Sequence, residues 1–451
     1  MTLTSAPPAA PPRAAGVILA LTCAAPLLVL INYTAPMVTL PDTAAALGAG
    51  VTGPAWILNG ISLGLSALLL VAGSLADDYG RRRVYVLGMW VLAASSVLVA
   101  VAVNTPTFVA GRLLQGAASA AVLAASLGIL GHSTPSGPAR LRATGRYGAT
   151  LGLGIAVGPL LSGWGATVGS WRAVYWAVAA GAVILAVAAR LLPESRAERA
   201  RRLDVPGVLT LALGVAALLA AITEGRTGWT RPIVVAFFAA AAVLLVAFVV
   251  VERRRAEPMI DLGLFRRPMF LVSTGGALVT GIAVIGLMSY MPTVLTLAHD
   301  MTSVTAAALF SVWSGTSFLT ALLNRHLRMG SRVRLALGLI LSAAGTLPLL
   351  GVADHLSYGR VLPGLFVAGI GSGLINASLT HLAIESVPAH RVGMGSGAGN
   401  TARYIGSAVG VAVTVTVAGV FGLSAGTDVT VVAYAVVAVA AALLALAART
   451  A

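Results

Sequence analysis

Fourteen apolar runs fill most of this 451-residue chain, and each approaches or exceeds the roughly 20 residues a helix needs to cross a bilayer core. They fall at about 16–41, 53–76, 84–103, 106–132, 145–168, 171–192, 206–224, 232–251, 269–297, 303–324, 333–352, 358–386, 393–421 and 428–448. In hydrocarbon the backbone must satisfy its own hydrogen bonds, so runs of this length read as helices. The expected fold class is an all-α integral membrane protein with 14 transmembrane helices. Only 10% of the residues are charged, where a soluble domain carries roughly 25%, and mean hydropathy is +0.94. The first run is too long for a signal-peptide core of roughly 7–15 residues, so it reads as a retained first helix behind a Pro- and Ala-rich, disordered cytoplasmic tail at 1–15.

The net charge of +15 raises the question of a nucleic-acid partner. Placement answers it. All 29 basic residues are arginine; with a cytoplasmic N-terminus, 23 fall in cytoplasmic segments, four in outer loops (Arg172, Arg226, Arg231, Arg360) and two, Arg112 and Arg403, inside helices. That bias fixes the orientation, with both termini in the cytoplasm and the chain in the cell's inner (plasma) membrane. It accounts for the charge through the lipid bilayer and its anionic headgroups, without nucleic acid. Cys23 is the single cysteine, so no intrachain disulfide forms, and no metal-ligand spacing occurs. With no lysine, no Gly-x-x-x-x-Gly-Lys nucleotide loop exists. No Ser-His-Asp constellation stands out either, and the expectation is a non-enzyme without cofactor or metal.

Three segments repeat at nearly constant offset. Gly80–Gly88 aligns with Gly330–Gly338 at 250, Gly111 and Gly116 with Gly364 and Gly369 at 253, and Gly154–Gly158 with Gly406–Gly410 at 252. Helices 1–6 then correspond to helices 9–14, and helices 7 and 8 are an insertion. The expected domains are a six-helix bundle at 16–192, a linker with two extra helices at 193–268, and a second six-helix bundle at 269–451. Two related bundles around a central cavity suit alternating access.

Between the second and third runs lies Gly73-Ser-Leu-Ala-Asp77-Asp-Tyr-Gly80-Arg81-Arg82-Arg83. It resembles the loop signature of the major facilitator superfamily, departing from it at Asp78, where the family has a base. The fourth run carries Gly111-Arg112-Leu-Leu-Gln115-Gly116, which resembles the family's fourth-helix motif. The fifth carries Gly154-x-x-x-Gly158-Pro159-x-x-x-Gly163, which resembles the antiporter signature of exporters. Small residues four apart let helices approach closely, and the proline bends the helix. Together with Trp56 and Asn59 these motifs are similar to those of the fourteen-helix drug:proton antiporters. The resemblance implies a monomeric secondary transporter that exports hydrophobic or amphipathic small molecules, with protons as the coupled ion.

One departure bears on coupling. In Leu30-Ile-Asn32-Tyr-Thr34-Ala-Pro-Met37 the family signature has aspartate where this chain has Asn32. A desolvated carboxylate can exchange protons and an amide cannot. Asn32 lies at a depth similar to Arg112, so Arg112 is expected to donate to the Asn32 carbonyl; a plain helix–helix hydrogen bond by Asn32 is the alternative. His381 and Glu385 share a helix face near the cytoplasmic end. They are either the replacement proton carriers or a solvated interfacial pair. Asn376, Asn400 and Arg403 complete the candidate cavity residues, with substrate binding and cytoplasmic gating both open for Arg403. The absence of a central acid leans the substrate toward neutral or anionic compounds. A facilitator without proton coupling, or a transporter-like sensor without flux, are the alternative functions.

Overall fold

A computed structural model describes residues 12–50, 53–135, 137–196, 204–225, 228–255, 262–324, 327, 329–388 and 392–448. Among these, every regular element is helical. Residues 1–11 of the expected tail lie outside the described residues, and α1 already begins at Pro12.

The first apolar run forms two helices, α1 (Pro12–Thr34) and α2 (Pro36–Ala46). The break has a covalent cause: Pro36 has no N–H to donate to the carbonyl four residues back. Then come α3 (Gly53–Tyr79), α4 (Arg81–Ala100), α5 (Thr105–Ser133), α6 (Pro138–Val168) and α7 (Ala173–Ala188). Next are α8 (Val205–Gly225) and α9 (Pro232–Arg254), a hairpin. The ninth run is one span in three pieces: α10 (Pro268–Val279), a π segment (Thr280–Gly286) and α11 (Leu287–His299). The chain closes with α12 (Ser303–Leu323), α13 (Ser331–Thr346), α14 (Tyr358–Glu385), α15 (Val392–Phe421) and α16 (Leu423–Ala447).

Thirteen helical spans among the described residues are long and apolar enough to cross a membrane, one fewer than the fourteen runs read from the sequence. The remaining run is α12, whose helix, Ser303–Leu323, matches the run at 303–324 and whose fully described stretch, Ala308–Leu323, is shorter. α9 buries little of its surface (17% of its most apolar window), the pattern of a helix turned toward lipid.

Apolar packing gathers around separate centres. Leu30, Leu65, Tyr85, Leu127, Tyr147 and Val178 join α1 and α3 through α7. Leu287, Phe310, Leu339, Leu365 and Tyr434 join α11 through α14 and α16. A third cluster seats the α8–α9 hairpin, through Leu219 and Phe248, on Leu63 and Val71 of α3 and on Met394 and Ala412 of α15. α3 also packs along α15, and α6 along α12 and α14.

Loop composition distinguishes the two ends of the molecule. The α3–α4, α5–α6, α9–α10 and α12–α13 turns, together with the helix ends beside them, carry 15 of the 29 arginines and define an arginine-rich end. At the opposite end the hairpin is tied to two helices. Trp56 Nε1 on α3 donates to Glu224 Oε1 at 2.6 Å, and Arg231 pairs with the same carboxylate at 3.3 Å. Trp229 Nε1 donates to Thr416 Oγ1 of α15 at 3.0 Å.

Candidate functional site

The helix break at Ala35 creates a polar centre. Pro36 leaves the Asn32 carbonyl without its helical donor, and Arg112 supplies one. Its Nη1 donates to Asn32 O at 2.9 Å, to Asn32 Oδ1 at 3.4 Å and to Gln115 Oε1 at 3.0 Å, while Nη2 donates to Tyr33 O at 3.3 Å. Gln115 passes the chain on to Ser96 Oγ at 3.0 Å. Asn32, Arg112 and Gln115 are all fully buried. A buried guanidinium without acceptors would cost several kcal/mol. Here two main-chain carbonyls and two side-chain amides supply them. Among the described residues no carboxylate forms an ion pair with Arg112.

The second interior arginine is held more loosely. Arg403 on α15 is 8% exposed; Nη2 donates to Asn400 Oδ1 at 2.6 Å and Nη1 to Asn376 Oδ1 at 3.5 Å. Its Nε, like that of Arg112, has no hydrogen-bond partner, and its guanidinium lies 5.5 Å from the Tyr404 ring. Asn376 Nδ2 in turn donates to Ser317 Oγ of α12 at 3.5 Å. The π segment presses on this stretch of α15: a Cβ at Gly286 would come within 2.8 Å of Gly410. π bulges of this kind recur at functional sites.

Between the two centres, Tyr33 and Tyr404 meet with ring centroids 5.7 Å apart, and Ser62 donates to the Tyr33 hydroxyl at 2.9 Å. These rings form the floor of a cavity of about 380 Å³. Its walls come from α1 to α3, α6, α8, the π segment, α11, α12 and α15, among them Met37, Asn59, Pro159, Met288, Trp313 and Ser407. It reaches Pro41, Thr223 and Thr296, within a few residues of the helix ends opposite the arginine-rich end. None of its described lining residues is charged. Two smaller cavities, of about 50 and 30 Å³, continue past the tyrosines, and Arg403 lines both.

Close backbone approach shapes this wall. A Cβ on Gly158 of α6 would overlap Thr34 Oγ1 and lie 2.9 Å from Ile31 O, and one on Gly154 would lie 2.6 Å from Leu30 Cβ. Both glycines therefore let α6 sit directly on α1. Pro159 follows in the cavity wall, and Gly163 lies one turn on, beside Ser162, whose hydroxyl meets Thr39 at 3.4 Å.

At the arginine-rich end the α3–α4 turn is joined to the start of α15. Asp77, 2% exposed and one helical turn beyond buried Gly73, takes Arg81 Nη2 at 2.8 Å. Its other oxygen accepts from Met394 N, in the first turn of α15, at 3.2 Å. A carboxylate there satisfies an orphan N–H and complements the helix dipole. Gly80 stands at φ 116°, a region that favours glycine, and a Cβ would meet Glu194 Oε1 at 2.8 Å. Glu194 accepts from Arg82 N at 3.2 Å and lies 3.8 Å from the Arg82 side chain. Sequence reading had not picked out Met394 or Glu194; neither carries a motif of its own.

His381 and Glu385 lie far from this cavity. They pair at 2.8 Å on α14 at the arginine-rich end, and Ser331 of α13 contacts the same His381 Nδ1 at 2.9 Å. Glu385 is 48% exposed by side chain, and neither residue lines any of the three cavities. His390 and Arg391 lie outside the described residues.

Comparison with known proteins places this geometry. The profile of the Major Facilitator Superfamily matches residues 22–411. The multidrug resistance protein Stp of Mycobacterium tuberculosis is 33% identical over 380 residues, covering 83% of this chain and 71% of that protein. The puromycin resistance protein pur8 of Streptomyces alboniger is 31% identical over 407 residues, covering 87% and 80%. The solved structure of the proton:xylose symporter XylE bound to 6-bromo-6-deoxy-D-glucose matches with a TM-score of 0.71 at 14% identity, covering 96% of this chain and 95% of that one.

Proposed function

The chain belongs to the major facilitator superfamily, and from that premise we propose that it exports hydrophobic or amphipathic small molecules, drugs or antibiotics among them, by alternating access. One observation carries the reading: the interior cavity reaches one end of the molecule, while Asp77 and the start of α15 are joined at the other. The arginine bias makes the joined end cytoplasmic, so this arrangement is the outward-facing one, with both termini in the cytoplasm. The uncharged wall, with Met37, Trp313 and Tyr404, suits an apolar cargo. The resistance functions in the names of Stp and pur8 support export over import.

In this reading, residues 16–192 and 269–451 are two six-helix bundles that rock about the Tyr33–Tyr404 floor. The segment 193–268 inserts the α8–α9 hairpin, and the protein works as a monomer in the plasma membrane. Proton antiport supplies the energy. Cells lacking their own exporters test this directly. Drug accumulation falls when the protein is present and recovers when the proton gradient is collapsed; accumulation unchanged across a panel that includes puromycin counts against export.

A second reading has its own observation. With Asn32 in place of an acid and no charge in the described cavity wall, a facilitator without proton coupling fits as well. Flux that ignores pH would establish it.

A further inference from the structure

The two interior arginines differ in what is left for a ligand. Arg112 is fully buried, donates from Nη1 and Nη2 to the main-chain carbonyls of Asn32 and Tyr33 and to two side-chain amide oxygens, lines none of the cavities, and shares with Arg403 an Nε without a hydrogen-bond partner. Arg403 has two amide oxygens, one of them at 3.5 Å, and an Nε with no hydrogen-bond partner. Among the described residues it forms no ion pair with a carboxylate. An uncompensated charge this deeply buried is costly unless something negative joins it.

The space beside it is of the right size and connection. The cavity of about 50 Å³ that Arg403 lines shares Tyr33, Trp313 and Tyr404 with the large one. That volume holds a few waters or one acid group, not the body of a drug. Asn376 in the same wall offers a further amide.

We infer that Arg403 is the anion subsite of the transport cavity, and that the preferred cargo is an amphipathic organic acid. Its carboxylate or sulfonate binds the guanidinium, and its apolar body lies against Tyr33, Trp313 and Tyr404 in the large cavity. The inference rests on the export reading and deepens it by naming the class of cargo. Planar guanidinium suits this task because it presents paired donors to an acid group.

The test uses two probes with one skeleton, anilinonaphthalene sulfonate and the neutral phenylnaphthylamine. Each is equilibrated by dialysis against the purified full-length protein in nanodiscs, with empty nanodiscs as blank. The native protein binds the sulfonate about tenfold tighter than the amine, the value of one charge-assisted contact. Arg403→Gln erases the preference and leaves amine binding as it was. Asn376→Asp, which places an acid beside Arg403 with little change of shape, erases it too. A native protein without the preference, or a preference that survives Arg403→Gln, overturns the inference. Should Arg403→Gln lose both probes, Asn376→Asp decides: a preference kept there overturns it, and one erased there supports it. Efflux of the same probes from cells is read separately. A sulfonate preference in a protein that moves neither probe sinks export and leaves the subsite standing; efflux without any preference does the reverse.

Discussion

Asp77 and Met394 lie 317 residues apart in sequence and are joined by one hydrogen bond of 3.2 Å, from the first turn of α15 to a carboxylate that also holds Arg81. That bond links the α3–α4 turn to the helix that carries Arg403. Asp77→Asn removes the charge from both partnerships and leaves Arg81 buried without its acid. Breaking a buried pair costs about 3–5 kcal/mol. The closed arginine-rich end is expected to lose population and transport to fall at least about tenfold. Hydrogen exchange at the start of α15 reads the first effect and should rise there; protection unchanged from the native protein would count against the clasp.

Asn32→Asp puts a carboxylate where Arg112 Nη1 already lies 3.4 Å from the amide oxygen. An ion pair forms, and a group able to take a proton enters the polar centre. Transport is expected to gain a pH dependence that the native protein lacks or shows at a different pH. Flux into inverted vesicles across the near-neutral range measures it, and identical profiles for the two proteins would sink the pairing.

Pro36→Ala tests the polar centre. The new N–H competes with Arg112 for the Asn32 carbonyl. Pro36 is the first residue of α2, where proline is tolerated, so its removal relieves little, while the buried guanidinium loses part of its nearest acceptor. The melting temperature is expected to fall, and transport with it. A variant that melts at or above the native temperature and transports normally contradicts this account of the break.

Gly158→Ala adds a methyl group on top of Thr34 Oγ1. Overpacking of this kind costs about 1–3 kcal/mol. Thr34→Ala in the same chain should recover part of the loss, not all, because Ile31 O still lies within 2.9 Å of the new carbon. Thermal melting of the two single variants and the double variant gives the coupling.

The helical class was legible because length and hydropathy in a bilayer leave little choice: the runs at 53–76 and 358–386 have their counterparts in α3 and α14. The contact between Asn32 and Arg112 was legible by depth counting. Its main route, through the main-chain carbonyl of residue 32, carries a signal in Pro36 that residue-type reading passes over. The π segment at Thr280–Gly286 has no such signal, since one extra residue per turn leaves no trace in composition. His381 and Glu385 were singled out for their four-residue spacing. Spacing fixes a helix face and says nothing of which neighbours that face meets, and here they are Ser331 and the arginine-rich surface. The run at 303–324 has its counterpart in α12, Ser303–Leu323, so composition marked those boundaries as well.

The α8–α9 hairpin is fastened at the mouth of the cavity by Glu224 to Trp56 on one side and by Trp229 to Thr416 on the other. α3 and α15 belong to opposite halves of the chain. In the proposed alternating-access cycle the mouth narrows, the distance between the two anchor points changes, and one fastening is expected to yield. The weaker is the neutral indole–hydroxyl bond, of about 0.5–1.5 kcal/mol. On that proposal the inserted pair of helices is a strut held more firmly at its α3 end, and Thr416 is the position where the length of that strut would be felt by the turnover rate.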